Sequence, residues 1–154
     1  MTRVYRILRA PYSKNPLDGE GAYRFGGRWS SRGTRLAYTS HHLSLAMIEY
    51  FVHIDPNRPP RDLVAVSADV PDDVSRVSVA VNRLPANWRK TPAPARLAAV
   101  GDDFAAAGKA TILVVPSVLV PSESNWLINP RSPRFGSIRV HASEPFHYDE
   151  RFFV

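Results

Sequence analysis

Gly26-Gly27-Arg28-Trp29, Leu36-Ala37-Tyr38-Thr39-Ser40 and Leu43-Ser44-Leu45-Ala46-Met47-Ile48-Glu49-Tyr50-Phe51-Val52 follow one another within residues 26–53. They read as a turn, a strand and a helix, and each delivers one chemically active side chain. Arg28 brings a guanidinium, Tyr38 a phenol and Glu49 a carboxylate, enough to assemble a pocket from a short length of chain. Glu49 is the odd residue, because the run around it is apolar. Burying a carboxylate unpaired costs several kcal/mol or forces it neutral, by roughly a few pKa units. Glu49 therefore lines a cavity or meets a cation, and Arg28 is the cation to test.

Outward from this stretch, Val4-Tyr5-Arg6-Ile7-Leu8 reads as a first strand closed by Pro11. Residues 13–27 hold Asn15-Pro16, Asp18-Gly19, Gly21 and Gly26-Gly27, which predicts a long loop. Its glycines allow backbone to approach a ligand, and Arg24 and Arg28 bracket its end as an anion-binding lip. The loop matches neither G-x-x-x-x-G-K-[ST] nor G-x-G-x-x-G, which excludes those two phosphate cradles but not nucleotides. Arg35–Thr39 predicts a short strand, and Ser40 an N-cap for a helix from His41 to Ile54 that Pro56 stops. Apolar residues on both sides predict that this helix is largely buried.

Leu63–Val70 alternates like a half-buried strand ending at Pro71. A short strand is expected at Val77–Val81, and a weak helix over Ala93–Ala107, interrupted at Gly101. Trp88-Arg89-Lys90 reads either as an exposed partner contact or as an indole tucked under a loop. Ala110–Val115 is apolar throughout and predicts a central strand, with Ser117 at its mouth. Ser122–Asn129 reads as a polar segment with Trp126-Leu127-Ile128 embedded. Ser137–Ala142 and Phe146–Tyr148 read as final strands. Together these predict one α+β domain with a mixed, partly antiparallel sheet of five to seven strands and two helices.

The chain of 154 residues is long enough for one core, and 44% hydrophobic content with 22% charged residues reads as globular. It contains no cysteine, so neither disulfides nor thiolate chemistry enters. Arginines punctuate the first nine residues too closely for a signal-peptide core, and no apolar window reaches membrane-spanning length. A cytoplasmic protein is expected. The net charge of +6 is lodged at one end, since residues 1–35 hold seven Arg and one Lys against Asp18 and Glu20. Arg suits bidentate recognition of phosphate or carboxylate, so this end reads as a site for an anionic partner or as a solubilising surface.

The chemistry narrows further. There is no G-x-S-x-G elbow for a serine nucleophile. Asp55 lies past the predicted helix end, so Glu49 has no second acid for glycoside hydrolysis. His41, His42 and His53 fit no metal spacing. One buried carboxylate with an Arg and a Tyr suits a different task, in which the carboxylate stabilises oxocarbenium charge on a ribose while Arg holds phosphate. The bland alternative is a buried structural Arg28–Glu49 pair.

The segments named first, with His53, Val114-Val115-Pro116-Ser117 and Asn125-Trp126-Leu127-Ile128-Asn129-Pro130 in order, resemble the RES-domain toxins of bacterial RES–Xre toxin–antitoxin pairs. The family name records an arginine, a glutamate and a serine, which fall here on Arg28, Glu49 and Ser117. The resemblance runs from Tyr5-Arg6 to Phe146-His147-Tyr148-Asp149-Glu150-Arg151, and five motifs in register carry it. It implies a single RES domain over residues 1–154, with a fold similar to ADP-ribosyltransferase toxins and a cleft that takes NAD as substrate. Members cleave the nicotinamide–ribose bond with water or phosphate as acceptor, and some transfer ADP-ribose to a protein instead. By this resemblance Arg28 and Arg6 would hold the pyrophosphate and Tyr38 would face the nicotinamide. Glu49 would orient the ribose and stabilise the oxocarbenium, while Ser117 would hydrogen-bond the nucleotide and Asn125 would join the binding set. An Xre-type helix-turn-helix antitoxin would block the cleft, with no metal, membrane or direct nucleic-acid partner. Phe104, where relatives often carry Trp, and Arg131-Ser132-Pro133 depart from the pattern, which bears on packing and antitoxin choice. The competing class, a basic RNA-binding or RNA-cleaving toxin, has the charge but no aromatic-basic stacking motif.

Overall fold

Alternation along eight short strands divides the side chains of one mixed sheet between two faces, and the two longer helices lie on one of them. The computed structural model describes residues 1–154. The strands are β1 (Thr2–Arg9), β2 (Ala37–Ser40), β3 (Leu63–Val70), β4 (Arg76–Ser78), β5 (Ile112–Pro116), β6 (Ser124–Ile128), β7 (Arg139–Val140) and β8 (Glu144–Pro145). The helices are α1 (Glu20–Phe25), α2 (Leu43–Phe51) and α3 (Ala95–Ala107). Strand order is β4-β5-β6-β2-β1-β3-β7, with β8 also pairing β3. Every pairing is antiparallel except β4 with β5, whose connection carries α3, as a parallel pair requires. No helix is long and apolar enough to cross a membrane.

On one face Val4, Ala37, Ala68, Val70, Ile112, Trp126 and Ile128 form a core completed from the loops by Leu17, Val74 and Ile138. On the other, Leu113, Val115 and Leu127 meet Leu97 of α3 together with Trp29, Leu36 and Trp88. Ile7 and Leu63 on that same face meet Ala46 of α2. The second face therefore holds two apolar clusters, one under each helix. Strand register decides what lies along it: Tyr5 is opposite Ser40, and Ser40 opposite Asn125. These polar side chains share the face with Tyr38 and Leu127 because the period of a strand is two.

The α+β class and the mixed sheet are as expected, and several local readings are corrected. The 13–27 segment contains α1, whose first turn is set by Asp18 Oδ1 accepting from Glu20 N at 3.0 Å and stapled by Arg24 to Glu20. Turn-forming residues crowd the start of this helix and hide it. The second helix begins at Leu43 rather than His41, without a side-chain cap, because Ser40 belongs to β2. It is also less buried than its sequence suggests, with only Leu45 and Ala46 fully covered. The third helix runs through Gly101 unbroken. Ser124–Ile128 is an interior strand, and the strand at 112–116 lies second from the edge instead of centrally. The C-terminal strands shrink to two residues each, and residues 146–148 form none.

Candidate active site

Where the two apolar clusters meet, polar groups converge. Glu49, in the last half of α2, presents Oε1 to two donors, Ser117 Oγ at 2.6 Å and Asn125 Nδ2 at 2.8 Å. Ser117 follows β5 directly and is fully buried. Its hydroxyl oxygen accepts from the backbone N–H groups of Leu119 and Val120, both at 3.1 Å. With its lone pairs used in this way, the Ser117 proton is directed to the carboxylate. Asn125 on β6 is held from the other side, because its Oδ1 accepts from Ser40 Oγ at 2.8 Å. The helix, the end of β5, β6 and β2 thus each contribute one group. In the turn that follows Ser117, Glu123 Oε1 is buried without a hydrogen-bond partner.

Glu49 meets no cation directly. Arg28 instead donates from Nη1 to the carbonyls of Trp88 at 3.2 Å and Lys90 at 2.8 Å, and from Nη2 to Thr91 Oγ1 at 3.0 Å. The 88–91 segment is therefore the scaffold that aims the guanidinium, and Trp88 is buried beneath it. Burial pulls the Arg28 pKa below the usual arginine value, and the negative charge of Glu49 partly offsets this. The two residues feel each other's charge without forming an ion pair. Three of the five guanidinium N–H groups are engaged by the loop. Nε–H and one Nη2–H remain for an anion.

Tyr38 lies on the same face, but its hydroxyl is committed. It shares a 2.8 Å hydrogen bond with Ser30 Oγ and accepts from Trp29 N at 3.1 Å. Burial raises its pKa to about 12, so it stays a neutral phenol. Gly27 faces it closely: a Cβ there would lie 2.6 Å from the Tyr38 hydroxyl. Gly27 is thus needed for approach of the turn to Tyr38.

Arg6 is not brought into this group. On β1 it alternates with Tyr5 and shares the face of Val4, across the sheet from Glu49. There its Nη1 donates to Pro16 O at 3.2 Å, and burial lowers its pKa, with Asp18 opposing. The expectation that Arg6 holds the same pyrophosphate as Arg28 is at odds with this placement. The basic end is also less free than its charge implies, since Arg3, Arg9, Arg24 and Arg35 pair with Asp69, Asp62 and Glu20. His41 and His42 stack on each other, and His41 stacks on Trp126. Ser40 is the member that sequence reasoning missed. Its signal, a hydroxyl at an inward strand position, becomes readable only once the register with Asn125 is known.

A model of the RES domain matches residues 3–149. The chain belongs to the RES domain family. Within it, this RES chain is 34% identical over 132 residues to a Yersinia enterocolitica protein named Toxin Res, covering 86% of each chain. It is also 34% identical over 142 residues to the Prs ADP-ribosylating toxin of a Sphingobium strain, covering 91% of this chain and 88% of that one. Its fold matches a chain of the M. tuberculosis MbcT–MbcA toxin–antitoxin complex at a TM-score of 0.74 and 19% identity, covering 94% and 84% of the two chains. Arg28, Glu49 and Ser117 all lie within the matched residues.

Proposed function

We propose that this RES protein is the toxin of a toxin–antitoxin pair and that it consumes NAD+ by breaking the nicotinamide–ribose bond. One observation carries the reading: Glu49 is a carboxylate held on one oxygen by Ser117 and Asn125, with no cation in contact. A structural carboxylate in such a place would be paired; one without a partner suits a cation that arrives with the reaction. Departure of nicotinamide supplies that cation. The C–N bond breaks, its electron pair leaves on the pyridine nitrogen as neutral nicotinamide, and positive charge develops on the ribose. Glu49 Oε2 faces that charge, and a fixed carboxylate in a partly desolvated cleft stabilises it better than water would. Arg28, aimed by the 88–91 carbonyls, holds the pyrophosphate through its two remaining N–H groups. Tyr38 contributes its ring to the wall, because its hydroxyl is already bonded. Water completes hydrolysis to ADP-ribose with release of a proton, or phosphate gives the phosphorylated sugar.

A second reading has support in a relative's name, since the Sphingobium protein is called an ADP-ribosylating toxin. There the acceptor is a protein side chain, and the same residues serve. Incubation of antitoxin-free protein with NAD+ labelled in the adenosine half separates the two. Free labelled ADP-ribose, or its phosphorylated form when phosphate is present, is the expected product. Label retained on a protein after denaturation would establish transfer instead, and unchanged NAD+ with every acceptor would exclude both. The antitoxin is proposed to act by covering the cleft, so its complex should leave NAD+ intact.

A further inference from the structure

The two oxygens of Glu49 are not equivalent, and a residue outside the family's named triad accounts for the difference. Both protein donors, Ser117 Oγ–H and Asn125 Nδ2–H, land on Oε1. The Ser117 hydroxyl has little freedom to turn away, since two backbone N–H groups occupy its oxygen. Asn125 is different: an amide can present either end. Turned over, it would set its oxygen against the carboxylate, and like dipole and charge would repel. In the observed orientation Oδ1 is satisfied by Ser40 Oγ–H at 2.8 Å. Ser40 is only 4% exposed, so water has little access to replace it. No other side-chain hydrogen bond engages either Ser40 Oγ or Asn125 Oδ1.

We propose that Ser40 is a positioning residue, which fixes the Asn125 amide so that Nδ2 pins Glu49 Oε1 and leaves Oε2 as the oxygen that meets the substrate. Ser40 touches neither substrate nor carboxylate; it acts through Asn125. Without it, Oδ1 loses its protein partner, and the amide samples both orientations. Glu49 then loses one of its two clamps for part of the time. Ser40 and Asn125 are direct partners across β2 and β6, so the clamp is built from strand register instead of from a mobile loop.

The test uses the full chain free of antitoxin, with Ser40→Ala and Ser40→Thr, and has two arms. The first needs no catalysis: the side-chain amide of Asn125 is followed by 15N NMR, its signals assigned by their loss in Asn125→Asp. In the wild type these protons should be shifted and slow to exchange, and in Ser40→Ala they should exchange at least ~10-fold faster, as expected for loss of a partly buried hydrogen bond that holds the amide in one orientation. Ser40→Thr keeps the hydroxyl and should restore them. The kinetic arm rests on the NAD+-cleaving reading: kcat of Ser40→Ala should fall roughly 10-fold or more with little change in KM, because the carboxylate acts on charge that develops in the transition state. Unchanged Asn125 exchange in Ser40→Ala overturns the proposal, as does a kcat equal to that of the wild type. If the wild type leaves NAD+ intact, the NMR arm alone decides: loosened Asn125 signals uphold the positioning role, and unchanged signals overturn it.

Discussion

Arg28 illustrates how a single residue's hydrogen bonds redirect the interpretation of a site. In sequence it is the obvious counter-ion for Glu49; in the fold it is spent on the Trp88 and Lys90 carbonyls and the Thr91 hydroxyl. The planar fork makes several directed contacts at once, which an ammonium cannot reproduce. Arg28→Lys should therefore lose both the aim and the bidentate grip on phosphate. We expect KM for NAD+ to rise roughly 10- to 100-fold, the equivalent of about 1.5–3 kcal/mol for a charge-assisted hydrogen bond. Steady-state kinetics of nicotinamide release would check this, and an unchanged KM would remove Arg28 from phosphate recognition. The strangeness of Glu49 was legible in the sequence, because a carboxylate in an apolar run needs a reason. The identity of its partners was not. Ser117 and Asn125 stand 68 and 76 residues away, and only strand pairing brings them to it.

At the scale of elements, the hydrophobic pattern located those strands whose buried positions are apolar. Leu63–Val70 matches β3 in full, and Val4–Leu8 lies inside β1. It failed for β6, whose first residues, Ser124 and Asn125, are polar because one of them serves the site. It failed likewise at the start of α2, where the Ser40 hydroxyl binds Asn125 rather than capping the helix. Gly101 is the instructive error. It reads as a helix breaker, yet α3 continues through it, and the missing side chain lets α3 close on Trp29. A Cβ there would sit 1.7 Å from the Trp29 carbonyl oxygen, so the helix would have to move. Gly101→Ala should destabilise the protein by roughly 1–3 kcal/mol or more despite its better helix propensity, measurable by urea denaturation.

The helix that carries Glu49 has little apolar cover of its own and gains the rest from the C-terminal segment. Tyr148 donates its hydroxyl proton to Met47 O, two residues before Glu49, and its ring packs on Phe51, two residues after. Phe152 adds an edge contact to Phe51 and Phe153 a tilted one. Tyr148→Phe keeps the ring and removes only the hydrogen bond. A loss of about 0.5–1.5 kcal/mol follows, with faster amide exchange across residues 47–52 as the local sign. Unaltered exchange there would mean that the segment does not steady α2.

Across the whole molecule, part of the basic end is neutralised internally, and one such contact ties the N-terminal strand to the chain's last part: Asp69 on β3 accepts from Arg3 at 2.7 Å and lies 2.7 Å from His141 Nε2. The Arg3 hydrogen bond, with His141 assisting, holds the Asp69 carboxyl down at about 2. A depressed carboxylate pKa contributes stability that is fully present above the usual carboxylate range and is lost as the pH falls toward 2. Asp69→Asn should therefore flatten the loss of stability between about pH 4 and 2 relative to the wild type, as followed by thermal unfolding across that range. Equal slopes for the two proteins would show that Asp69 is not protonated on unfolding there.

The proposed chemistry turns most directly on the charge of Glu49. Glu49→Gln keeps an oxygen able to accept from Ser117 and Asn125 and removes only the negative charge, so the fold should survive it. The measurement is nicotinamide released from NAD+ by antitoxin-free wild-type and Glu49→Gln proteins of matched thermal stability. Release by the wild type, reduced at least ~100-fold in Glu49→Gln, is the predicted result for a carboxylate that stabilises the transition state electrostatically. A folded Glu49→Gln protein that releases nicotinamide at the wild-type rate would contradict it.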